Sequence, residues 1–307
     1  MVLRPLIIGS RGSLLAVRQS SIIKDELQRR YPNLSLSIKT IQTSGDRILD
    51  VPLHQIGSKG IFIKEIEEAL LDEEIDIAVH SLKDLPTCLP PGLCLGAVIK
   101  RIDARDALLS DQFSQLSDLP PQSRIGTSSL RRQSQLLNFR PDLKIVQLRG
   151  NIDTRINKLK EGQYEAIILA CAGLIRLNLD HLIKERIAID QICSAIGQGA
   201  LALEVRSTDH LTLDTIKSID HSNSRIATEA ERSLLQHLGG GCQVPIAGFA
   251  SVQDSKIKLT GLVGTVDGKI ILREYAEGSI NYPKDLGKIV ANQLINTGAA
   301  KILESLK

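Results

Sequence analysis

The chain has 307 residues, of which 42% are hydrophobic and 24% charged, values typical of a soluble globular protein with two or three domains. A net charge of only +3, with 3% aromatic residues and no tryptophan, argues against a general nucleic-acid binder. No apolar run approaches the ~18 residues of a membrane span, and MVLRPLIIGSRGS is typical of a first strand and not of a secretory signal, so we expect a cytoplasmic protein with no membrane partner.

Short apolar strands alternate with helical stretches along the first two-thirds of the chain. The first series is PLIIGS, a helix over 13–30, LSLSIKTI, a helix over 63–71, IDIAVHS and LCLGAVI. The second series, after Pro120, is RIGTSS, SLRRQSQLLNF, KIVQLRG, IDTRINKLKEG and YEAIILACAG. This β-α-β alternation predicts two α/β domains, each with a largely parallel sheet covered by helices on both faces. One further strand, GQGALALEVR, is expected to return to the first domain.

The last part of the chain has a different pattern. A helix over 222–238 ends in three glycines, which are a strong helix stop. Three strands follow, and then helices to the end: IAGFASV, KIKLTGLVG and KIILREYAEG. The sequence therefore predicts a small α+β third domain. The predicted domains are 1–99 with 199–217, then 105–194, then 222–307.

The five cysteines do not form a metal or disulfide framework. None belongs to a CxxC pair, and the histidines do not cluster with them at ligand spacing, so no metal site is expected. Cys242, within GGGCQVP, differs from the others because its glycines leave the sulfur accessible and nearby N–H groups available, which favours the thiolate. The residues alone leave open whether this thiol is a nucleophile or a permanent covalent anchor for a cofactor.

Three strand–turn–helix junctions place Arg beside Ser, Thr or Asn: GSRGS (9–13), GTSSLRR (126–132) and LRGNIDTR (148–155). In an open parallel sheet these junctions lie in the crevice where ligands bind. Helix N-termini attract anions there, and arginine adds bidentate recognition of carboxylate or phosphate. A purely structural role, in which Ser or Thr caps the helix and the arginine is solvated, could explain one such junction. It explains all three together less well. We therefore expect a ligand with several negative charges, and the absence of GxGxxG or a P-loop gives no reason to call it a nucleotide.

Two further segments are candidates for a binding site. HSLKDLP places Lys83 and Asp84 after the third strand, where they form either a surface ion pair or a catalytic carboxylate beside a ligand-binding lysine. The long polar segment TSGDRILDVPLHQIGSKG is typical of a lid or binding loop, in which Lys59, followed by Phe62, could close over an anion.

Several motifs together resemble the porphobilinogen deaminase (hydroxymethylbilane synthase) family. They are HSLKDLP, RIGTSSLRRQSQL, LRGNIDTRINKL, AIILACAGLIRL, GQGALALE and GGGCQVPI, in the family's order. The resemblance implies two periplasmic-binding-protein-like α/β domains around a cleft, plus a small α+β domain. It also implies a transferase of tetrapyrrole (haem or chlorophyll) biosynthesis that joins four porphobilinogen molecules, with loss of ammonia, into hydroxymethylbilane.

The resemblance also implies roles for particular residues. Cys242 would hold a dipyrromethane cofactor through a thioether, and Asp84 would be the catalytic carboxylate that contacts the pyrrole N–H. The positions that match cofactor-binding residues are Lys83, Asp84, Thr127, Ser129, Arg131 and Arg132. Those that match residues for the substrate and growing chain are Arg11, Gln19, Arg149, Arg155 and Arg176. Lys59 and Phe62 match the lid, and a monomer is expected.

The chain departs from the family pattern in the predicted lid. It has His54 and Gln55 where a basic residue is common, and GSKGIF where GGKGLF is usual, so we expect lid behaviour to differ from that of relatives. Two alternatives remain open from the residues: a non-enzymatic anion-binding protein of the same fold, and a thiol transferase that acts through Cys242. The anion-binding alternative does not explain GGGCQVP, and the thiol transferase would need a base near the sulfur.

Overall fold

The computed structural model describes residues 4–43, 63–239 and 244–306. The strands are β1 (Leu6–Arg11), β2 (Leu36–Ile41), β3 (Ile77–Ser81), β4 (Leu93–Val98), β5 (Asp106–Leu109), β6 (Arg124–Gly126), β7 (Lys144–Val146), β8 (Ala166–Ala170), β9 (Glu185–Ile187), β10 (Leu201–Arg206), β11 (Ile246–Gln253), β12 (Lys256–Gly264) and β13 (Ile271–Ser279). The helices are α1 (Leu14–Arg30), α2 (Lys64–Leu71), α3 (Leu130–Phe139), α4 (Ile152–Lys160), α5 (Cys171–Arg176), α6 (His210–Lys217), α7 (Ser222–His237), α8 (Pro283–Asn296) and α9 (Ala299–Glu304).

The chain divides into two compact units, residues 1–101 with 200–225 and residues 102–199 with 226–307. The second unit contains two sheets, the five-stranded sheet of β5–β9 and the three-stranded sheet of β11–β13. The division into three domains with the boundaries expected from the sequence stays a prediction.

The first unit contains one five-stranded sheet in the order β2-β1-β3-β10-β4. β1 pairs in parallel with both β2 and β3, whereas β10 runs antiparallel to β3 and β4. The prediction that the strand near residue 200 returns to the first sheet is therefore confirmed. A reversed β10 leaves the other four strands in one direction, so the largely parallel character expected from the sequence is also confirmed.

Helix α1 packs on this sheet because its apolar residues recur on one face. Ser13 caps its N-terminus by accepting a hydrogen bond from the Ala16 N–H at 3.3 Å. Ile23 and Leu27, one turn apart, are fully buried in the same core as Ile8 of β1. Burial of each such side chain contributes about 1.5–3 kcal/mol, which is enough to fix the face that α1 turns to the sheet.

The α/β sheet of the second unit has the order β7-β6-β8-β5-β9. β6 pairs in parallel with β7 and β8, and β5 runs antiparallel to β8 and β9. The sequence analysis missed β5 and β9, which have four and three residues. Such short strands show no readable alternation, and only their partners in the sheet identify them.

The three strands predicted near the C-terminal end form an antiparallel sheet in the order β11-β12-β13. Leu234 of α7 and Val290 and Leu294 of α8 pack in one core with Leu259 and Val263 of β12. This confirms the small α+β fold expected there. Helix α7 ends at His237, as the glycine run predicts, and Gly239 takes a left-handed φ of 65°.

Candidate active site

In the first unit, two predicted site segments follow neighbouring parallel strands. Arg11 is the last residue of β1 and is half-buried. Lys83 and Asp84 lie in a 3₁₀ turn, Leu82–Asp84, that begins directly after β3. Because β1 and β3 pair in parallel, their carboxyl ends share one edge of the sheet, so the structure brings both segments to that edge. The Asp84 carboxylate is exposed there and can reach a ligand.

Gln19 links helix α1 to this edge. Its side chain is 3% exposed, and its Nε2 donates a hydrogen bond to Ser81 Oγ at 2.9 Å. Gln19 therefore joins α1 to the last residue of β3, and at least one of its amide hydrogens is used in a hydrogen bond within the protein. A role in substrate binding would use its remaining hydrogen-bonding capacity.

In the second unit, three parallel strands end at a common edge, and predicted site residues follow each. The segment 127–129 follows β6, Arg149 follows β7 within three residues, and Arg176 ends the helix that follows β8. Thr127 is buried, and its Oγ1 accepts a hydrogen bond from the Ser129 N–H at 3.2 Å. Ser129 caps α3 by accepting from the Arg132 N–H at 3.4 Å. The sequence therefore folds locally as the capped junction expected.

Arg131 and Arg132 turn inward toward one carboxylate. Arg131 Nη2 and Arg132 Nη2 each lie 2.8 Å from a different oxygen of Asp106, which is fully buried on β5. Arg131 Nη1 also donates to the Cys193 carbonyl at 2.6 Å, and Arg132 Nη1 donates to the Ile168 carbonyl at 3.0 Å. Arg131 and Arg132 are only 5% and 6% exposed, so they are built into the sheet edge and are not solvated as surface arginines.

The charge of this cluster favours a bound anion. Burial alone raises the pKa of Asp106, but the two guanidinium groups outweigh it and hold that pKa well below its ordinary range. In the part of the chain that the structure describes, two buried cations thus share one carboxylate. Arg132 Nε is also buried and makes no hydrogen bond there. A ligand carboxylate at this edge would balance the surplus charge, so the residues fit an anionic cofactor.

Arg149 and Arg155 lie at the neighbouring junction. The two junctions are connected, because Ser128 Oγ donates to the Leu148 carbonyl at 2.8 Å and accepts from the Leu148 N–H at 3.1 Å. Arg155 Nε donates to the Gly150 carbonyl at 2.7 Å, which orients its guanidinium along the turn. Both arginines are half-buried, so each retains surface that a ligand can contact.

Arg176 is 8% exposed, and its Nη2 donates to the Gly199 carbonyl at 2.8 Å. Burial lowers the pKa of Arg176 to about 10, so it remains a cation at neutral pH. A buried cation at this edge adds to the positive field that the other arginines create.

Sequence reasoning did not single out Asp106 or Gln198, although both belong to this cluster. Gln198 Nε2 donates to Asp106 Oδ1 at 2.9 Å and to the Ala104 carbonyl at 2.8 Å. The signal available for Asp106 was an acidic residue at the start of the apolar run DALL. Cys242, Lys59 and Phe62 lie outside the described residues.

Two family models match the chain. "Porphobilinogen deaminase, dipyromethane cofactor binding domain" matches residues 6–214, and "Porphobilinogen deaminase, C-terminal domain" matches residues 226–296. The chain belongs to the porphobilinogen deaminase family. Both motif-bearing edges fall inside the cofactor-binding model of that family.

Curated members of the family are similar to this chain along nearly its whole length. The porphobilinogen deaminase of Desulforamulus reducens is 47% identical over 300 residues, 98% of this chain and 97% of the relative. That of Syntrophomonas wolfei is 48% identical over 301 residues, 98% of each chain. That of Chlorobaculum tepidum is 45% identical over 307 residues, 99% of this chain and 98% of the relative.

Membership of this family confirms the prediction of a transferase of the porphobilinogen deaminase type and disfavours the non-enzymatic alternative.

A periplasmic substrate-binding protein of an ABC transporter from Coxiella burnetii is 15% identical over 74% of this chain and 96% of its own, with a TM-score of 0.45. A TM-score of 0.45 is too low to support the fold, so the description of the fold rests on the sheets given above. Within the described ranges, no helix could cross a bilayer and no group of three or more His, Cys, Asp or Glu side chains could hold a metal.

Proposed function

We propose that this protein joins four porphobilinogen molecules head to tail, releases one ammonia at each step, and frees the finished tetrapyrrole by hydrolysis with one water as hydroxymethylbilane for tetrapyrrole synthesis. The observation that carries the proposal is the identity of 47% to a curated porphobilinogen deaminase over 98% of the chain. The arginine-rich edge of the second unit supports it. Each pyrrole of such a product bears two carboxylates, and a lengthening polyanion needs cations along its path.

The proposed prosthetic group is a dipyrromethane bound to Cys242 through a thioether. Lys83, Asp84, Thr127, Ser129, Arg131 and Arg132 are the residues proposed to hold it. Bound in this way, the group supplies the free pyrrole carbon to which the first substrate is joined. The surplus positive charge around Asp106 supports carboxylate binding by the two arginines, and so does the Arg132 Nε–H, which has no hydrogen-bond partner among the described residues.

Asp84 is the proposed catalytic residue. It is exposed on a turn at the carboxyl edge of the first sheet, and Leu82 holds that turn by donating its N–H to the Ala200 carbonyl at 3.0 Å. A carboxylate in this position accepts a hydrogen bond from a pyrrole N–H and stabilises positive charge that develops on the ring. Such a group contributes on the order of 10²–10⁴-fold to a rate.

Five further residues are proposed to bind the substrate and the growing chain: Arg11, Gln19, Arg149, Arg155 and Arg176. Their positions at or beside the carboxyl ends of parallel strands support this role. Lys59 and Phe62 are proposed as lid residues from the family pattern alone. We also propose a cytoplasmic monomer with three domains that binds no nucleic acid, as the composition and the family resemblance suggest.

The test is the intact mass of the purified protein beside that of Cys242→Ser, with turnover of porphobilinogen measured for both. We expect the wild type to carry the mass of two linked pyrroles and the variant to carry none and to be inactive. Asp84→Ala serves as the matched variant, because it should retain the adduct while losing most of its turnover. Normal turnover by Cys242→Ser would refute the anchor, and a wild type that neither carries nor acquires the adduct with porphobilinogen would refute the function.

A further inference from the structure

A buried acid–histidine pair joins two strands of the first unit beneath the Asp84 turn. His80 Nε2 of β3 lies 2.9 Å from Glu204 Oε2 of β10, and their side chains are 6% and 0% exposed. The register pairs Ala202 with His80 and Glu204 with Ala78, so the two polar side chains are diagonal neighbours on one face. A buried pair of this kind is weak evidence for stability, so its position requires another explanation.

The pair lies where the chain leaves β3 for the turn that carries Asp84. The contacts at this end of the strand include His80 to Glu204, Ser81 to Gln19, and the Leu82 N–H to the Ala200 carbonyl at 3.0 Å, beside the ladder pairs of β3 with β10. All of these except the Gln19 contact come from the segment 200–204. The placement of the turn therefore depends on the start of β10, which is distant from it in sequence.

Other titratable groups respond to Glu204. Burial and then the Glu204 charge raise the pKa of Glu67 on α2, and His80 opposes them. Burial and then Glu204 also raise the pKa of Cys94 on β4, while Arg225 lowers it. Glu204 Oε1 is buried and makes no hydrogen bond within the described ranges, so His80 is the hydrogen-bond partner that orients this carboxylate.

We propose that Glu204, acting through His80, is a positioning residue that holds the Lys83–Asp84 turn in its productive place. The inference rests on the proposed function, in which Asp84 contacts the pyrrole N–H. A carboxylate acceptor selects the imidazole form with a proton on Nε2 and fixes the ring plane. His80 lies four residues before Asp84, and a displacement of a catalytic group by about 1 Å can cost about 10²-fold in rate.

The principal variant is Glu204→Gln, which keeps a hydrogen-bonding side chain of the same size and removes the charge. We expect kcat per adduct-bearing molecule to fall about 10- to 100-fold while KM for porphobilinogen changes less than about 3-fold, because none of the residues proposed to bind the substrate belongs to the displaced turn. In an Asp84→Ala background the same substitution should cause no further loss, since it acts through Asp84. His80→Gln is the second variant and should lower kcat as Glu204→Gln does. The double variant with both substitutions should lose no more than either single variant.

Asp76→Asn is the matched control. Asp76 is also buried and also bridges β3 and β10, with its Oδ1 2.9 Å from Arg206 Nη2, but it precedes the opposite end of β3. This variant should lose stability and keep kcat per adduct-bearing molecule. The inference is wrong if kcat per adduct-bearing molecule of Glu204→Gln stays within about 2-fold of wild type. It is also wrong if Glu204→Gln lowers that kcat as much in the Asp84→Ala background as in the wild type.

Amide hydrogen exchange separates this inference from the proposed function. Exchange should accelerate at least about 10-fold in Glu204→Gln at Leu82, whose N–H joins the turn to the Ala200 carbonyl, and at Leu85, whose N–H closes the turn on the Leu82 carbonyl. Exchange at both should remain unchanged in Asp76→Asn. If wild-type protein does not turn over porphobilinogen, the proposed function fails, and exchange still decides whether Glu204 holds the turn. Unchanged exchange in Glu204→Gln would overturn the positioning role in either case.

Discussion

Asp106→Asn removes the one carboxylate that Arg131 and Arg132 share in the described part of the chain. Both Nη2 contacts are 2.8 Å and the carboxylate is fully buried, so the substitution leaves two guanidinium groups buried without a counter-charge. Breaking a buried ion pair from one side costs about 3–5 kcal/mol. We therefore expect urea unfolding at pH 7, followed by circular dichroism, to show a loss of this size.

Glu165→Gln is the matched control, because Glu165 pairs with Arg124 in the same sheet but both side chains are partly exposed to solvent, 31% for Glu165 and 46% for Arg124. Its loss should stay below about 1 kcal/mol. A loss below about 1 kcal/mol in Asp106→Asn would refute the view that this carboxylate neutralises the buried arginines.

The pH dependence follows from the direction of the Asp106 shift. Its pKa is lowered in the folded chain, so its contribution is complete above the unfolded pKa of about 3.9 and is lost as the pH falls through the folded value. The stability difference between wild type and Asp106→Asn should be constant from about pH 5 to pH 8 and should shrink below about pH 4. A difference that grows toward low pH would contradict this reasoning.

Two further predictions concern the second unit. Gly150→Ala should cost about 2–3 kcal/mol of unfolding free energy, because φ at Gly150 is 108° and a new Cβ would lie 2.7 Å from Thr154 Cγ2. Gly162→Ala is the control: φ there is 73° and the space is open, so it should cost only about 1–2 kcal/mol. Equal losses in the two variants would refute the steric part of this argument. Burial raises the pKa of the Cys171 thiol to about 12, so in folded protein at pH 8 an aromatic disulfide reagent should label exposed Cys88 and spare Cys171, as peptide mapping would show. Labelling of both cysteines at one rate without unfolding would contradict the assigned burial.

Much of the candidate site could be predicted because its residues follow strands whose signal is local. The junctions that carry Arg11, Thr127 and Arg149 each combine an apolar run, a turn and a helix start within about a dozen residues. In a parallel sheet such junctions fall at one edge, and the structure places them there in each unit. The direction of the Arg131 and Arg132 side chains could not be predicted, because it depends on Asp106 in a strand too short to show a pattern.

The sequence by itself determined the helices and the longer strands, the α+β character of the C-terminal part, and the positive residues at the strand ends. These features depend on periodicity and turn chemistry within short windows. Only the tertiary structure decided that β10 lies reversed between β3 and β4, and that Glu204 meets His80, 124 positions away. The physical reason is that a buried charge takes the partner that the fold brings to it, and no local pattern specifies a partner so distant in the chain.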